Sequence, residues 1–87
     1  MTWNILLSKQ AMKDVKKIKQ ARLSEKLKGL LMLLESNPFA VSPRYESLVG
    51  NLDGFYSRRI NIKHRLVYAV DEKERVVHVL RCWTHYE

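Results

Sequence analysis

The sequence predicts an α+β domain with the order β-α-α-β-β-β, a mainly antiparallel sheet carrying two N-terminal helices on one face. Three observations predict it. Apolar residues recur at three- and four-residue steps between Lys9 and Leu34, and at two-residue steps from Phe55 onward. A chain of 87 residues has room for one domain only, here residues 1–87.

In chain order, Trp3, Ile5 and Leu7 alternate with Thr2, Asn4 and Leu6, the period of a short strand. Ser8 is a natural cap for a helix over Lys9–Gln20, whose apolar stripe is Ala11, Met12, Val15 and Ile18. Lys9, Lys13, Lys16, Lys17 and Lys19 make its outer face basic. A second helix starts near Ser24, a second N-cap candidate, with Glu25 in its first turn, where the helix dipole favours an acid. Leu23, Leu27, Leu30, Leu31 and Leu34 are its core stripe, and Asn37-Pro38 stops it because a residue before proline avoids the α region.

Residues 38–54 hold both prolines and two of the three glycines, which predicts an irregular loop ending in the turn Asn51-Leu52-Asp53-Gly54. Strands are expected over Phe55–Ile62, Arg65–Asp71 and Arg75 to about Thr84, with Asp71-Glu72-Lys73-Glu74 as a polar turn. Strand parity assigns Tyr56, Ile60, Ile62, Leu66, Tyr68 and Val70 to the core. The opposite parity places Arg59, Arg65, Arg81 and His85 on one open face away from the helices, provided that no β-bulge intervenes.

Sixteen Lys and Arg against nine Asp and Glu leave a net charge of +7, which favours a polyanionic partner, most simply nucleic acid. The lone Cys82 excludes an internal disulfide framework and fits a reducing cytoplasm. The run Trp3–Leu7 is too short for a signal-peptide core, and Leu27–Leu34, broken by Lys28, falls far short of the roughly 20 residues of a membrane span. The expectation is a cytoplasmic protein with no membrane contact.

Metal and nucleotide chemistry have little to stand on. His78 and Cys82 share a strand parity but lie about 13 Å apart along a strand, whereas zinc ligands sit about 2.0–2.3 Å from one ion. No Cys-x-x-Cys, His-Glu-x-x-His or Gly-rich phosphate loop occurs, and neither Ser47 nor Ser57 sits in a nucleophile elbow. No cofactor is expected. What remains is acid–base attack on a phosphodiester, in which RNA supplies its own 2′-OH nucleophile. Such a site needs a base, a cation for the crowded phosphorane and an acid for the leaving oxygen. Arg59, Arg65 and Arg81 offer cations and His85 the acid. Glu46, between Tyr45 and Ser47 in the long loop, is the carboxylate best placed to join them. Taken singly, each has a plainer role: Glu46 as a solvated loop carboxylate, the arginines as cross-strand ion-pair partners, His85 as a solvated terminal histidine. Lys13, Lys16 and Lys17 are equally a solvated helix face or an RNA contact.

The segment Asn51-Leu52-Asp53-Gly54-Phe55-Tyr56-Ser57-Arg58-Arg59-Ile60, followed by His64-Arg65-Leu66-Val67-Tyr68-Ala69-Val70, resembles the YoeB/Txe branch of the RelE toxin superfamily. The similarity extends to Pro38-Phe39, Glu46-x-Leu48 and the terminal His85-Tyr86. The resemblance implies the RelE-like fold and the toxin of a type II toxin–antitoxin pair, a ribosome-dependent endoribonuclease that cuts mRNA in the A site. It implies Glu46 as general base, Arg65 as the phosphate-binding cation, His85 as general acid, Tyr86 as a positioning group and Arg59 as added phosphate charge. It also implies a YefM/Axe-like antitoxin whose acidic C-terminal segment wraps the basic face, with ribosome and mRNA as targets, and it admits a homodimer. The chain departs from the family pattern in Glu87 after His-Tyr and in a slightly longer stretch between Tyr68 and His85. Two other functions fit the sequence, a non-enzymatic ParE-like gyrase inhibitor and a passive RNA-binding module.

Overall fold

The computed structural model describes residues 2–40, 44–48 and 54–83. Strand β1 (Asn4–Leu7) runs directly into Ser8, whose Oγ accepts the Ala11 N–H at 3.0 Å and donates to the Leu80 carbonyl at 2.7 Å. One hydroxyl therefore caps α1 (Lys9–Gln20) and ties its start to the far end of the chain. Helix α1 closes with the Leu23 N–H on the Ile18 carbonyl and the Arg22 N–H on the Lys19 carbonyl, a Schellman turn. The residue bent into the left-handed region there is Arg22, at φ 61°. Helix α2 (Ser24–Ser36) takes Leu23 as its cap residue with no side-chain bond, so Ser24 is its first residue rather than the cap expected. Glu25 sits in the first turn, and the helix ends where Asn37, at φ −159° and ψ 100°, becomes extended before Pro38.

The helices cover the sheet with Ala11, Ile18, Leu27, Leu30 and Leu34, all buried. Met12 departs from expectation and is 58% exposed. It lies one step, about 100°, around the helix from Ala11 and joins the lysines, while Asp14 occupies the core stripe between Ala11 and Ile18.

The sheet has the order β1-β5-β4-β3-β2, built from β2 (Tyr45–Ser47), β3 (Phe55–Arg59), β4 (Arg65–Asp71) and β5 (Val76–Arg81) beside β1. Strand β1 pairs parallel with β5, and the other neighbours pair antiparallel. Strand β2 lies inside the stretch expected to be irregular. Three residues are too few to show a period, and this strand exists through its ladder with β3, Tyr45↔Arg58, Glu46↔Ser57 and Ser47↔Tyr56. Of the expected turn, residues 51–53 lie outside the described residues, and Gly54 enters β3 at φ 92°, a conformation that suits glycine.

Two strands are shorter than predicted. Strand β3 stops at Arg59 because Asn61 Oδ1 accepts the N–H groups of Lys63 at 2.8 Å and His64 at 2.7 Å, closing a tight turn. Ile62, assigned to the core by parity, is at the tip of that turn and 92% exposed. Strand β5 ends at Arg81 rather than near Thr84, after a β-bulge: Tyr68 pairs with Val79 but Val67 with Arg81, leaving Leu80 extra. The bulge resets parity beyond it. His78 stays exposed, beside Phe55 and Ala69, whereas Cys82 is buried with Sγ 3.7 Å from the Ala11 carbonyl of α1, so the two do not share a face. Ile60, Leu66, Tyr68, Val77 and Val79 complete the core on the helix side. Among the described residues no helix is long and apolar enough to cross a membrane.

Candidate active site

Parity splits the adjacent Arg58 and Arg59 to opposite sides of β3. Arg58 is fully buried on the helix side. Its Nε donates to Tyr68 Oη at 2.9 Å, its Nη2 donates to the carbonyls of Pro38 at 2.9 Å and Ala40 at 2.7 Å, and its guanidinium lies 4.8 Å from the Tyr45 ring centroid. Burial raises the Tyr68 pKa, with the Arg58 charge opposing it, so the phenol stays a neutral acceptor for this guanidinium. Arg58 thus pins the segment after α2 to the sheet, in front of the strand that carries Glu46. Nothing in the charge pattern separates this structural arginine from its neighbour.

Arg59 goes the other way. It stands directly opposite Arg65 in the β3–β4 ladder, and Ser57 stands opposite Glu46 in the β2–β3 ladder. These registers bring four side chains from three strands together on the open face. Arg65 Nη1 lies 3.4 Å from Glu46 Oε1 and 3.3 Å from Ser57 Oγ. Arg44, Glu46, Ser57, Arg59 and Arg65 line a cleft of about 380 Å³. Three guanidiniums against one carboxylate make it an anion site, and the contact to Glu46 holds Arg65 in place while Arg59 and Arg44 remain exposed. Glu46 is itself about half exposed, at 54%.

The structure thus brings together Glu46, Arg59 and Arg65 and adds Arg44 and Ser57. Ser57 shares parity with Arg59, so strand alternation signals it once its face is known. Arg44 has no such signal, because it lies in the loop before β2. Arg81 corrects the parity expectation. Its Nε donates to Asp14 Oδ2 at 3.0 Å and its Nη2 to the Trp83 carbonyl at 3.2 Å, so α1 and the chain end, not the cleft, hold it. The buried Asp14 carboxylate, which needs a cationic partner, draws it there. Lys13, Lys16 and Lys17 are exposed on α1, in the layer on the other side of the sheet, and do not line the cleft. His85 and Tyr86 lie outside the described residues.

Asp14 is the residue that the sequence reading passed over. It is fully buried, and its carboxylate accepts from Gln10 Nε2 at 2.9 Å, Arg81 Nε at 3.0 Å, and the amides of Cys82 at 3.2 Å and Trp83 at 3.3 Å. Burial pushes its pKa up, but these hydrogen bonds and the Arg81 charge outweigh it and hold the carboxyl below the ordinary 3.8. Cys82 responds in the opposite sense: burial, with the Asp14 charge adding to it, pushes the thiol up to about 12. It is inert as a nucleophile.

Residues 7–86 match the family described as the YoeB-like toxin of bacterial type II toxin–antitoxin systems. Toxin YoeB of Escherichia coli K12 is 38% identical over 65 residues, 75% of either chain. The YoeB dimer from Staphylococcus aureus aligns with 37% identity and a TM-score of 0.82, covering 99% of this chain and 100% of that one, and S. aureus YoeB in complex with YefM aligns with a TM-score of 0.78 at the same identity and coverage. A YoeB/ParE toxin from Agrobacterium tumefaciens reaches 0.85 at 30% identity, covering 95% and 99%. The cleft residues Glu46, Ser57, Arg59 and Arg65 all fall inside the matched segment. The chain belongs to the YoeB-like toxins of bacterial type II toxin–antitoxin systems.

Proposed function

We propose that this toxin is a ribosome-dependent endoribonuclease that cuts mRNA in the A site with the acid–base groups of its own chain. The observation that carries the reading is the Glu46 carboxylate set 3.4 Å from Arg65 Nη1 in a cleft lined by Arg44, Arg59 and Ser57. A carboxylate beside a triple cation is the equipment that 2′-OH activation at a phosphodiester requires. Glu46 takes the 2′-OH proton, and the 2′ oxygen forms a bond to phosphorus. Arg65, with Arg59 and Arg44, stabilises the charge of the phosphorane. The bond to the 5′ oxygen then breaks, and His85 delivers a proton to that oxygen while Tyr86 positions the group. Base and acid each supply about 10²–10⁴-fold.

The same cationic face is the natural docking surface for an antitoxin with an acidic C-terminal segment, and S. aureus YoeB forms a complex with YefM. The relative's dimer makes self-association of this chain a companion expectation. Lys13, Lys16 and Lys17 form a second basic surface suited to ribosomal RNA. A toxin with these targets acts in the cytoplasm.

The test is primer extension on translated mRNA. Wild type is expected to produce cuts that a Glu46→Ala, Arg65→Ala, His85→Ala triple variant does not. Equal cutting by the triple variant overturns the reading. Intact mRNA with accumulation of broken DNA points instead to a gyrase inhibitor.

A further inference from the structure

Arg65 has to cross a strand to reach Glu46. The two stand on β4 and β2, on either side of β3, two strand spacings or about 10 Å apart. Ser57 lies on that path. It is opposite Glu46 in one ladder and opposite Val67 in the other, one diagonal step from Arg65. Such a diagonal is within reach of a long side chain. Ser57 lines the cleft yet is only 1% exposed, so it belongs to the floor. Arg65 Nη1 donates to its Oγ at 3.3 Å, and the same nitrogen donates to Glu46 Oε1 at 3.4 Å. Both anchoring contacts therefore fall on Nη1. Among the described residues, Nε and Nη2 of Arg65 have no partner. Those two nitrogens share one edge of the planar guanidinium, a two-pronged donor that fits two phosphate oxygens.

We propose that Ser57 is the positioning residue of Arg65: its hydroxyl fixes Nη1 to the floor of the cleft and leaves the Nε–Nη2 edge for the phosphate. The proposal rests on the endoribonuclease reading above. The need for a second anchor follows from the chemistry. Glu46 begins as a carboxylate paired with Arg65 and ends protonated, having taken the 2′-OH proton. Its electrostatic hold on the guanidinium is lost just as charge develops on the phosphorane. The bond to Ser57 does not depend on the charge of Glu46 and persists through the step. Ser57 also has to be small, because a larger side chain there would stand in the path of Arg65. A neutral hydroxyl that touches no substrate acts on the rate of the chemical step and not on ribosome affinity. A displacement of about 1 Å in the group it holds costs on the order of 10²-fold.

The experiment compares single-turnover cleavage of translated mRNA by wild type, Ser57→Ala, Arg65→Lys and the double variant Ser57→Ala/Arg65→Lys, with melting temperature as a control on folding. Ser57→Ala is expected to slow cleavage about 10- to 100-fold at saturation, the worth of a hydrogen bond to a charged group, with the half-saturating ribosome concentration unchanged. In the Arg65→Lys background the same substitution costs less than about twofold, because an ammonium has no second edge to orient. A further measurement needs no activity: the heteronuclear NOE of the Arg65 Nε–H group. It is expected to stay high in Glu46→Ala, where the hydroxyl still holds the side chain, and to fall in Ser57→Ala/Glu46→Ala. A Ser57→Ala protein that cuts at the wild-type rate, loses only affinity, loses rate only in proportion to unfolded protein, or loses as much in the Arg65→Lys background overturns the proposal and leaves the endoribonuclease reading intact. So does an Arg65 side chain equally ordered in Glu46→Ala with and without the hydroxyl. A wild type that cuts no RNA overturns that reading and the role of Ser57 together.

Discussion

Arg59 and Arg65 stand directly opposite each other in the β3–β4 ladder, two guanidiniums side by side on the open face of the sheet. Like charges in facing positions destabilise a sheet by a few tenths of a kcal/mol to about 1 kcal/mol, and a bound phosphate would relieve that repulsion. Arg59→Ser is therefore expected to raise stability toward urea by about 0.2–1 kcal/mol while weakening RNA binding. The slope of log affinity against log salt should fall by about one. Chemical denaturation and filter binding across a salt series check both halves. A variant that is less stable and binds RNA as before would contradict the assignment.

Arg58, one residue earlier, is expected to behave in the opposite way. It is buried, with bonds to Tyr68 and to the carbonyls of Pro38 and Ala40. Arg58→Ala removes the donor of the Ala40 carbonyl and leaves Pro38 with only the longer bond from Tyr68 Oη at 3.3 Å, at about 1–3 kcal/mol for each partner lost. A loss of at least about 3 kcal/mol in equilibrium unfolding is the expected outcome. Arg58→Lys restores little of it, because an ammonium cannot reproduce the planar fork. Equal stability of the lysine variant and wild type would refute this role.

Asp14 makes stability depend on pH. Its folded-state pKa lies below the ordinary 3.8, so the carboxylate contributes its full stabilisation above that value. The contribution is lost as pH falls through the folded-state value. Urea midpoints measured between pH 6 and pH 2.5 should drop for wild type in this acid window, and Asp14→Asn should be less stable at pH 6 and show a shallower acid decline. Parallel curves for the two proteins would show that Asp14 does not carry this linkage.

Cys82 gives a simple readout of packing. With its thiol buried and pushed up to about 12, the native protein should resist alkylation by iodoacetamide at pH 8 and react fully in urea. Rapid labelling of the native protein would place the cysteine outside the core.

Much of this architecture is legible in the sequence. The helix boundaries follow from Ser8, Glu25 and Asn37-Pro38, and two-residue alternation separates Arg59 and Arg65 from Tyr56, Leu66 and Tyr68. Four features escape it for physical reasons. Strand β2 is too short to have a period and exists through pairing with β3. Asn61 ends β3 early by accepting two amides, which exposes Ile62. The bulge at Leu80 has no compositional mark, yet it accompanies the capture of Arg81 by Asp14 and separates His78 from Cys82. Asp14 reads as a polar residue on a basic helix because three of the four groups that donate to it are 67 or more positions away. Strand parity places Arg59 and Arg65 on one face, whereas Glu46 joins them only through its place in the long loop and the family motif. The site was opaque in Arg44, which depends on the path of a loop.

The central claim is that the ribose 2′-OH is the nucleophile and Glu46 its base. Replacing the single nucleotide on the 5′ side of the cut with its 2′-deoxy counterpart, in an mRNA programmed into translating ribosomes, tests it most directly. The deoxy substitution is expected to abolish cleavage at that bond by wild-type toxin while the neighbouring all-ribose control is cut to a 5′-hydroxyl product. Undiminished cleavage at the deoxy position would contradict the account.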